Sequence, residues 1–173
     1  SEYNSTIVGL EITDSEFINT DNYAIYITEV DGLDLTGTTF TNNNRGVYLW
    51  AAGENPGKES GNLNISGNTF NNTETVGVMI ISHQPLHGTN VIENNVFNMD
   101  MSVRVDGYSV IDVRLPEAGA AGAPVNIIDN EILFTGTANP DVVVRGITLR
   151  GALETTTPTL VTGNTISGGN LGG

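Results

Sequence analysis

The chain has no cysteine. A disulfide framework is therefore excluded, and whatever holds the fold must come from packing and hydrogen bonding. Basic residues are almost as scarce, with six Lys and Arg against 20 Asp and Glu, for a formal net charge of −14 over 173 residues. Such a surface repels phosphate backbones and anionic headgroups, which argues against nucleic acid or an anionic membrane as partner. No apolar run approaches the ~20 residues of a membrane-spanning helix. No secretory leader stands at the start, so a secreted protein is expected here as a trimmed chain. Neither end carries an amphipathic helix pattern.

What the chain does have is repetition. The six residues ITDSEF at 12–17 recur in layout as LTGTTF (35–40), ISGNTF (65–70), IENNVF (92–97), IIDNEI (127–132) and VTGNTI (161–166). Position one is aliphatic, position three is Asp, Gly or Asn, position four is Ser, Thr or Asn, and position six is Phe or Ile. Successive starts lie 23, 30, 27, 35 and 34 residues apart, the spacing of a solenoid or array. Gly, Asn and Asp at position three tolerate left-handed or bent backbone, and the flanking apolar residues alternate as in strands. Each unit therefore reads as strand, tight corner, strand. Stacking the units places Ser15, Thr38, Asn68, Asn95, Asn130 and Asn164 above one another at roughly 4.8 Å. There their side chains form a ladder that satisfies polar groups at the corner.

A second motif follows the first: AIYI (24–27), GVYL (46–49), GVMI (77–80), SVRV (102–105) and GITL (146–149). A small residue precedes a strand that points inward, outward, inward. Three strands per repeat make one coil, and no coil can bury its apolar face alone, so coils must stack. Over roughly residues 7–168 the pattern resembles the right-handed parallel β-helix repeats of the pectate-lyase-like superfamily. The resemblance implies an all-β fold: a single right-handed parallel β-helix over 1–173, of about six coils, with an Asn/Ser/Thr corner ladder. It does not imply a function, because that superfamily includes lyases, glycosidases, epimerases, tailspikes, adhesins and inert spacers.

The outward positions of the second motif are expected to form one strip: Tyr26, Tyr48, Met79, Arg104 and Thr148, with Thr28, Trp50, Ile81, Asp106 and Arg150 two residues on. A solvated strand face favours Thr, Ser, Lys and Asn, whereas apolar patches mark contact surfaces. Three readings stand open for it. Tyr26, Tyr48, Trp50, Met79, Arg104, Asp106 and Arg150 suit a sugar-binding groove, with flat rings for pyranose faces and charge-assisted bonds for hydroxyls and carboxylates; in the enzymes of the resembling superfamily the substrate groove lies along this strand face. The same residue types suit a protein interface. Long loops leaving this strand, at 50–62, 81–90 and 106–124, would instead cover it.

Chemistry is thinly provided for. Arg104 and Asp106, two apart, face the same side as a proton-transfer pair would, and equally as a surface ion pair would. Converging carboxylates of the glycosidase kind are not recognisable. His83 and His87 are four apart, but in a loop containing Pro85 and with no third ligand. No cofactor is expected; calcium is the one metal that the turn acids of TDSE (13–16) and NTDN (19–22) offer oxygens to. A rod of six coils is only about 25–30 Å long, shorter than the enzymes of the resembling superfamily, and the reading leans away from an enzyme.

The ends carry their own signal. Residues 6–8 look like a second-motif strand with no coil before it, and NTISGGNLGG at the other end stops before such a strand. Residues 1–44 hold eight acidic side chains and no basic one, while Arg104, Arg114, Arg145 and Arg150 lie past residue 100. The chain is expected either to be a piece of a longer β-helix or to bury its ends against other copies, through strand donation by residues 5–8 in the sharper version. The leading functional expectation is a non-catalytic extracellular or cell-surface module, structural, adhesive or fibre-forming, whose partners are other copies or other surface proteins. A carbohydrate-active β-helix that binds or cleaves polysaccharide through the outward strip is the alternative.

Overall fold

A computed structural model of the chain describes residues 6–51, 59–103, 109–116, 122–137, 143–151 and 158–168. Every regular element among them is a strand, and the strands form three parallel sheets. The first stacks β1 (Ile7–Thr13), β4 (Val30–Thr36), β7 (Gly61–Ser66), β10 (Asn90–Glu93), β13 (Val125–Ile128) and β16 (Val161–Thr162). The second stacks β2 (Glu16–Ile18), β5 (Thr39–Thr41), β8 (Thr69–Asn71), β11 (Val96–Asp100), β14 (Glu131–Thr135) and β17 (Thr165–Gly168). The third stacks β3 (Tyr23–Ile27), β6 (Arg45–Ala51), β9 (Val76–Ser82), β12 (Ser109–Arg114) and β15 (Arg145–Arg150). One strand from each sheet, taken in order, is one coil of a parallel β-helix.

The corner between the first two sheets is set by motif position three. Asp14, Gly37, Gly67, Asn94, Asp129 and Gly163 all have φ between 47° and 69°, the left-handed region that these residue types enter at least cost. The turn aims position four inward, and the ladder forms there. The Thr38 N–H donates to Asn68 Oδ1 at 3.0 Å, Asn68 N–H to Asn95 Oδ1 at 2.9 Å, Asn95 N–H to Asn130 Oδ1 at 3.1 Å, and Asn130 N–H to Asn164 Oδ1 at 3.0 Å. Each Asn amide also reaches back: Asn68, Asn95, Asn130 and Asn164 Nδ2 donate to the carbonyls of Leu35, Ile65, Ile92 and Ile127. Thr38, Asn68, Asn95 and Asn130 are buried, so these bonds satisfy groups that water cannot reach.

Position six fills the interior. Phe17, Phe40, Phe70 and Phe97 stack with centroids 5.3, 4.6 and 4.6 Å apart and planes within 10°, and Ile132 continues the column, in register with Phe97. The small residue opening the second motif is a consequence of that column. A Cβ on Gly46 would lie 2.8 Å from the Phe70 ring, and one on Gly77 would lie 2.6 Å from the Phe97 ring.

Two expectations are corrected here. The third-sheet strand of the fourth coil is not 102–105. It is β12, with Ile111 beside Val78 and Val113 beside Ile80 on one side, and Ile111 beside Ile147 on the other. In this coil the small residue is replaced by Val110, which is fully buried, where the next coil carries Ile132 in place of a phenylalanine. Residues 6–8 are likewise not an orphan strand of the third sheet. Ile7 and Val8 belong to β1 and pair with Val30 and Asp31 in the first sheet, because Gly9 bends with φ 66° and lets the strand run on to Thr13.

Phe70→Ala is expected to cost about 3–5 kcal/mol, since the hole opens between two rings that cannot close it. Asn95→Ala strands the Asn68 N–H and the Ile65 carbonyl, at about 1–3 kcal/mol for each buried group left unsatisfied. Urea denaturation followed by circular dichroism measures both, and an unchanged midpoint for either variant would contradict the assignment.

Candidate functional site

The outer face of the third sheet holds most of the chemistry that the sequence offers. Strict alternation would place every second residue of β3 outward, but the strand breaks the rule. Ala24 and Ile25 both pack on the interior, while Tyr23 and Tyr26 both lie outside, with ring centroids 5.2 Å apart. The face therefore has three columns. The first, by register, is Tyr23, Arg45, Val76, Ser109 and Arg145; the second is Tyr26, Tyr48, Met79, Asp112 and Thr148; the third is Trp50, Ile81, Arg114 and Arg150.

Of the expected strip residues, the sheet brings together Tyr26, Tyr48, Trp50, Met79 and Arg150. Arg104 and Asp106 lie outside the described residues, and their rung is held by Asp112 and Arg114. Sequence reasoning missed Tyr23 and Arg45 because the break in alternation hides the first column. It missed Asp112 and Arg114 because SVRV resembles the motif better than SVIDVR does. A usable signal was present: SVIDVR alone carries the run of apolar residues that a buried strand requires.

The aromatic half sits on the first three coils. Tyr48 stacks on Tyr26 at 5.4 Å and on Trp50 at 6.3 Å, both with planes 11° apart, and contacts Tyr23 at 4.8 Å. Arg45 lies over the Tyr23 ring, 4.9 Å from its centroid, and donates to Asn22 Oδ1. The polar half sits on the fourth and fifth coils. Arg114 Nε and Nη2 donate to the two oxygens of Asp112 at 3.1 and 2.8 Å, and the Ser109 and Thr148 hydroxyls share a hydrogen bond. Tyr48 and Met79 are buried although they point away from the interior, and together with Val76 they form a second apolar cluster. Asp112 is 1% exposed. The middle of the face is thus buried at Tyr48, Met79 and Asp112, while Tyr26, Arg145 and Arg150 remain exposed.

Charge is segregated onto this face. The described basic residues are Arg45, Arg114, Arg145 and Arg150, and all four occupy its outer columns; Asp112 is the one acid within its strands. As a proton-transfer group Asp112 is poorly placed, since its carboxylate is buried and both its oxygens are engaged by the Arg114 guanidinium. The Tyr48 phenol is pushed above its ordinary value, first by burial and then by Tyr23 and Tyr26, against the pull of Arg114 and Arg45.

The two histidines do not form a pair. His83 packs against Trp50 at 5.0 Å. His87 turns to the first sheet, where its Nε2 lies 3.4 Å from Asp31 Oδ1, in a shallow cleft shared with Glu59.

Against protein-family models, residues 3–171 match NosD, described as periplasmic copper-binding protein (NosD). The chain belongs to the NosD family. Its membership in a periplasmic family places it outside the cytoplasm. No curated protein and no solved structure matches it. Among the described residues no helix is long and apolar enough to cross a membrane.

The soft ligands that a NosD copper centre would draw on can be followed individually, since every His and Met of this chain is described. Met99 and Met101 are buried in the interior cluster, where Met99 Sδ accepts a hydrogen bond from Thr73. Met79 and His83 are four residues apart along extended backbone, about 13 Å. No group of three His, Cys, Asp or Glu able to hold a metal exists among the described residues. These residues do not fit a copper site.

Tyr48 provides a pH test. Below about pH 10 the phenol is protonated in both folded and unfolded chains. Above it the unfolded phenol ionises while the buried one resists, so stability is lost as pH rises toward the folded value. Tyr48→Phe should lose less stability than the parent between about pH 9 and pH 11, measured as the shift in thermal midpoint. Equal losses would mean that Tyr48 is not shielded as described.

Proposed function

We propose that this chain is a non-catalytic β-helix module, a structural or adhesive segment of a protein that works outside the cytoplasm. The observation that carries the reading is the continuity of the ladders. Asn68, Asn95, Asn130 and Asn164 bond in one uninterrupted line, and the aromatic column runs beside it, so the construction is that of a stiff rod. The covered middle of the third sheet supports the same reading, because a depolymerising enzyme of this architecture needs an open groove with accessible carboxylates. Copper binding belongs to the family's description; on this chain we read the fold as kept without the ligand set.

One observation favours a second reading. Four Arg beside Tyr and Trp, on an otherwise acidic molecule, suit an acidic polysaccharide.

Two measurements decide. Equilibrium dialysis against Cu(I) and Cu(II) is expected to leave the protein without stoichiometric copper; one tightly held equivalent would return it to the copper-binding role. Trp50 fluorescence is expected to stay unchanged on adding neutral or acidic polysaccharides. A saturable shift that Arg45→Ala weakens, or the release of unsaturated or reducing ends, would favour the carbohydrate reading instead.

A further inference from the structure

The charges of this molecule are sorted by flank. The outer face of the third sheet carries all four described Arg. The strands of the first sheet carry Glu11, Asp31, Asp34 and Glu93 and no base, and those of the second carry Glu16, Asp100 and Glu131 and no base. One flank of the rod is therefore basic, and the first sheet is its acidic counterpart.

We infer that the outer face of the third sheet docks on the outer face of the first sheet of a second copy, so that rods lie side by side. The inference rests on the scaffold reading and names its partner. Two features carry it.

The first is a match of charge and spacing. Arg114 and Arg150 are register partners on adjacent coils of the third sheet. Glu11 and Asp34 are register partners on adjacent coils of the first. Each pair is set by the same strand spacing of about 4.8 Å, and like charges so placed repel. Within one copy Asp112 bonds to Arg114 and Asn64 donates to Asp34, while Glu11, Asp34 and Arg150 stand exposed. Laying one pair against the other sets two guanidinium groups opposite two carboxylates at a common spacing and relieves both repulsions at once.

The second is the company the charges keep. Around the Arg side chains Tyr26 is exposed, and Tyr23, Arg45 and Trp50 are half-buried. Tyr, Trp and Arg are the residues enriched where proteins meet. On the acidic flank the column of Glu11 and Asp34 runs through Asn64 to Val91, a half-buried apolar side chain that an aromatic ring can cover.

The net charge of −14 sets how such a contact responds to salt. Copies repel one another at long range when salt is low. At about 0.15 M the repulsion is confined to about 8 Å, whereas the docked pairs lie closer than that. At about 1 M the screening length falls to about 3 Å and reaches the pairs themselves. Association is strongest at the intermediate salt. The contact joins two different flanks, so it is heterologous, and each docked copy still offers one free flank of each kind.

The test is sedimentation velocity of the full chain over a concentration series at about 0.01, 0.15 and 1 M salt. Self-association that peaks at the middle value is expected. Arg150→Glu and Asp34→Lys should each weaken it about tenfold or more, while keeping the parent's circular dichroism and urea midpoint. Should Arg150→Glu disturb the fold, Arg150→Gln tests the same contact with a smaller loss. An equal mixture of the Arg150→Glu and Asp34→Lys variants should associate again, since the mixture restores an Arg flank facing an acidic one. A chain that is monomeric at every salt, an association that neither variant weakens, or a mixture that stays apart overturns side-by-side docking. Binding of poly-glutamate by a chain that remains monomeric also overturns it, and assigns the basic flank to another acidic partner. None of these results touches the scaffold reading, which stands or falls on copper and polysaccharide binding.

Discussion

One hydrogen bond, repeated from coil to coil, governs this molecule: the amide of a corner residue donated into the side chain of the corner residue above it. Sharp corners expose backbone groups that an interior cannot leave unpaired. Asn resolves this with one side chain, since its oxygen accepts a backbone N–H of the preceding coil while its nitrogen donates to a carbonyl of that same coil. Once the corners are stacked this way, register follows. Position six is then forced above position six, phenylalanine above phenylalanine, and a small residue must follow wherever a ring approaches the opposite strand.

The outer face of the third sheet obeys a different constraint. Nothing in the stacking requires Tyr, Trp and Met to point outward, and a strand face left to solvent would not use them. Tyr48 and Met79 are buried there with Val76, so the molecule carries a second, smaller apolar cluster outside its interior on one side. On the same face Asp112 and Arg114 are paired and partly desolvated, an arrangement that fixes geometry more than it adds stability.

The corners were legible in the sequence because their chemistry is local. Left-handed backbone needs Gly, Asn or Asp within one turn, whatever the rest of the chain does. The third sheet was legible only while its own rule held. That rule, a small residue before an apolar pair, is imposed by a ring in the next coil. Where the column changes from Phe97 to Ile132 the constraint relaxes, Val110 enters, and SVRV becomes the better imitation of the motif. Tyr23 and Arg45 were hidden for another reason: two consecutive inward residues, Ala24 and Ile25, shift the outward face by one position, and periodicity alone cannot announce such a step.

The unequal spacing of the repeats, 23 residues at the shortest and 35 at the longest, has an evolutionary consequence. Since each of the first five coils presents the same three strands to its neighbours, the surplus residues fall in connections, and these do not have to agree with the coil above or below. Selection can lengthen, shorten or replace a connection on one coil without retuning the others. A lineage can thus discard one binding chemistry and acquire another while inheriting the frame intact, and for such proteins shared ancestry is a better guide to shape than to ligand.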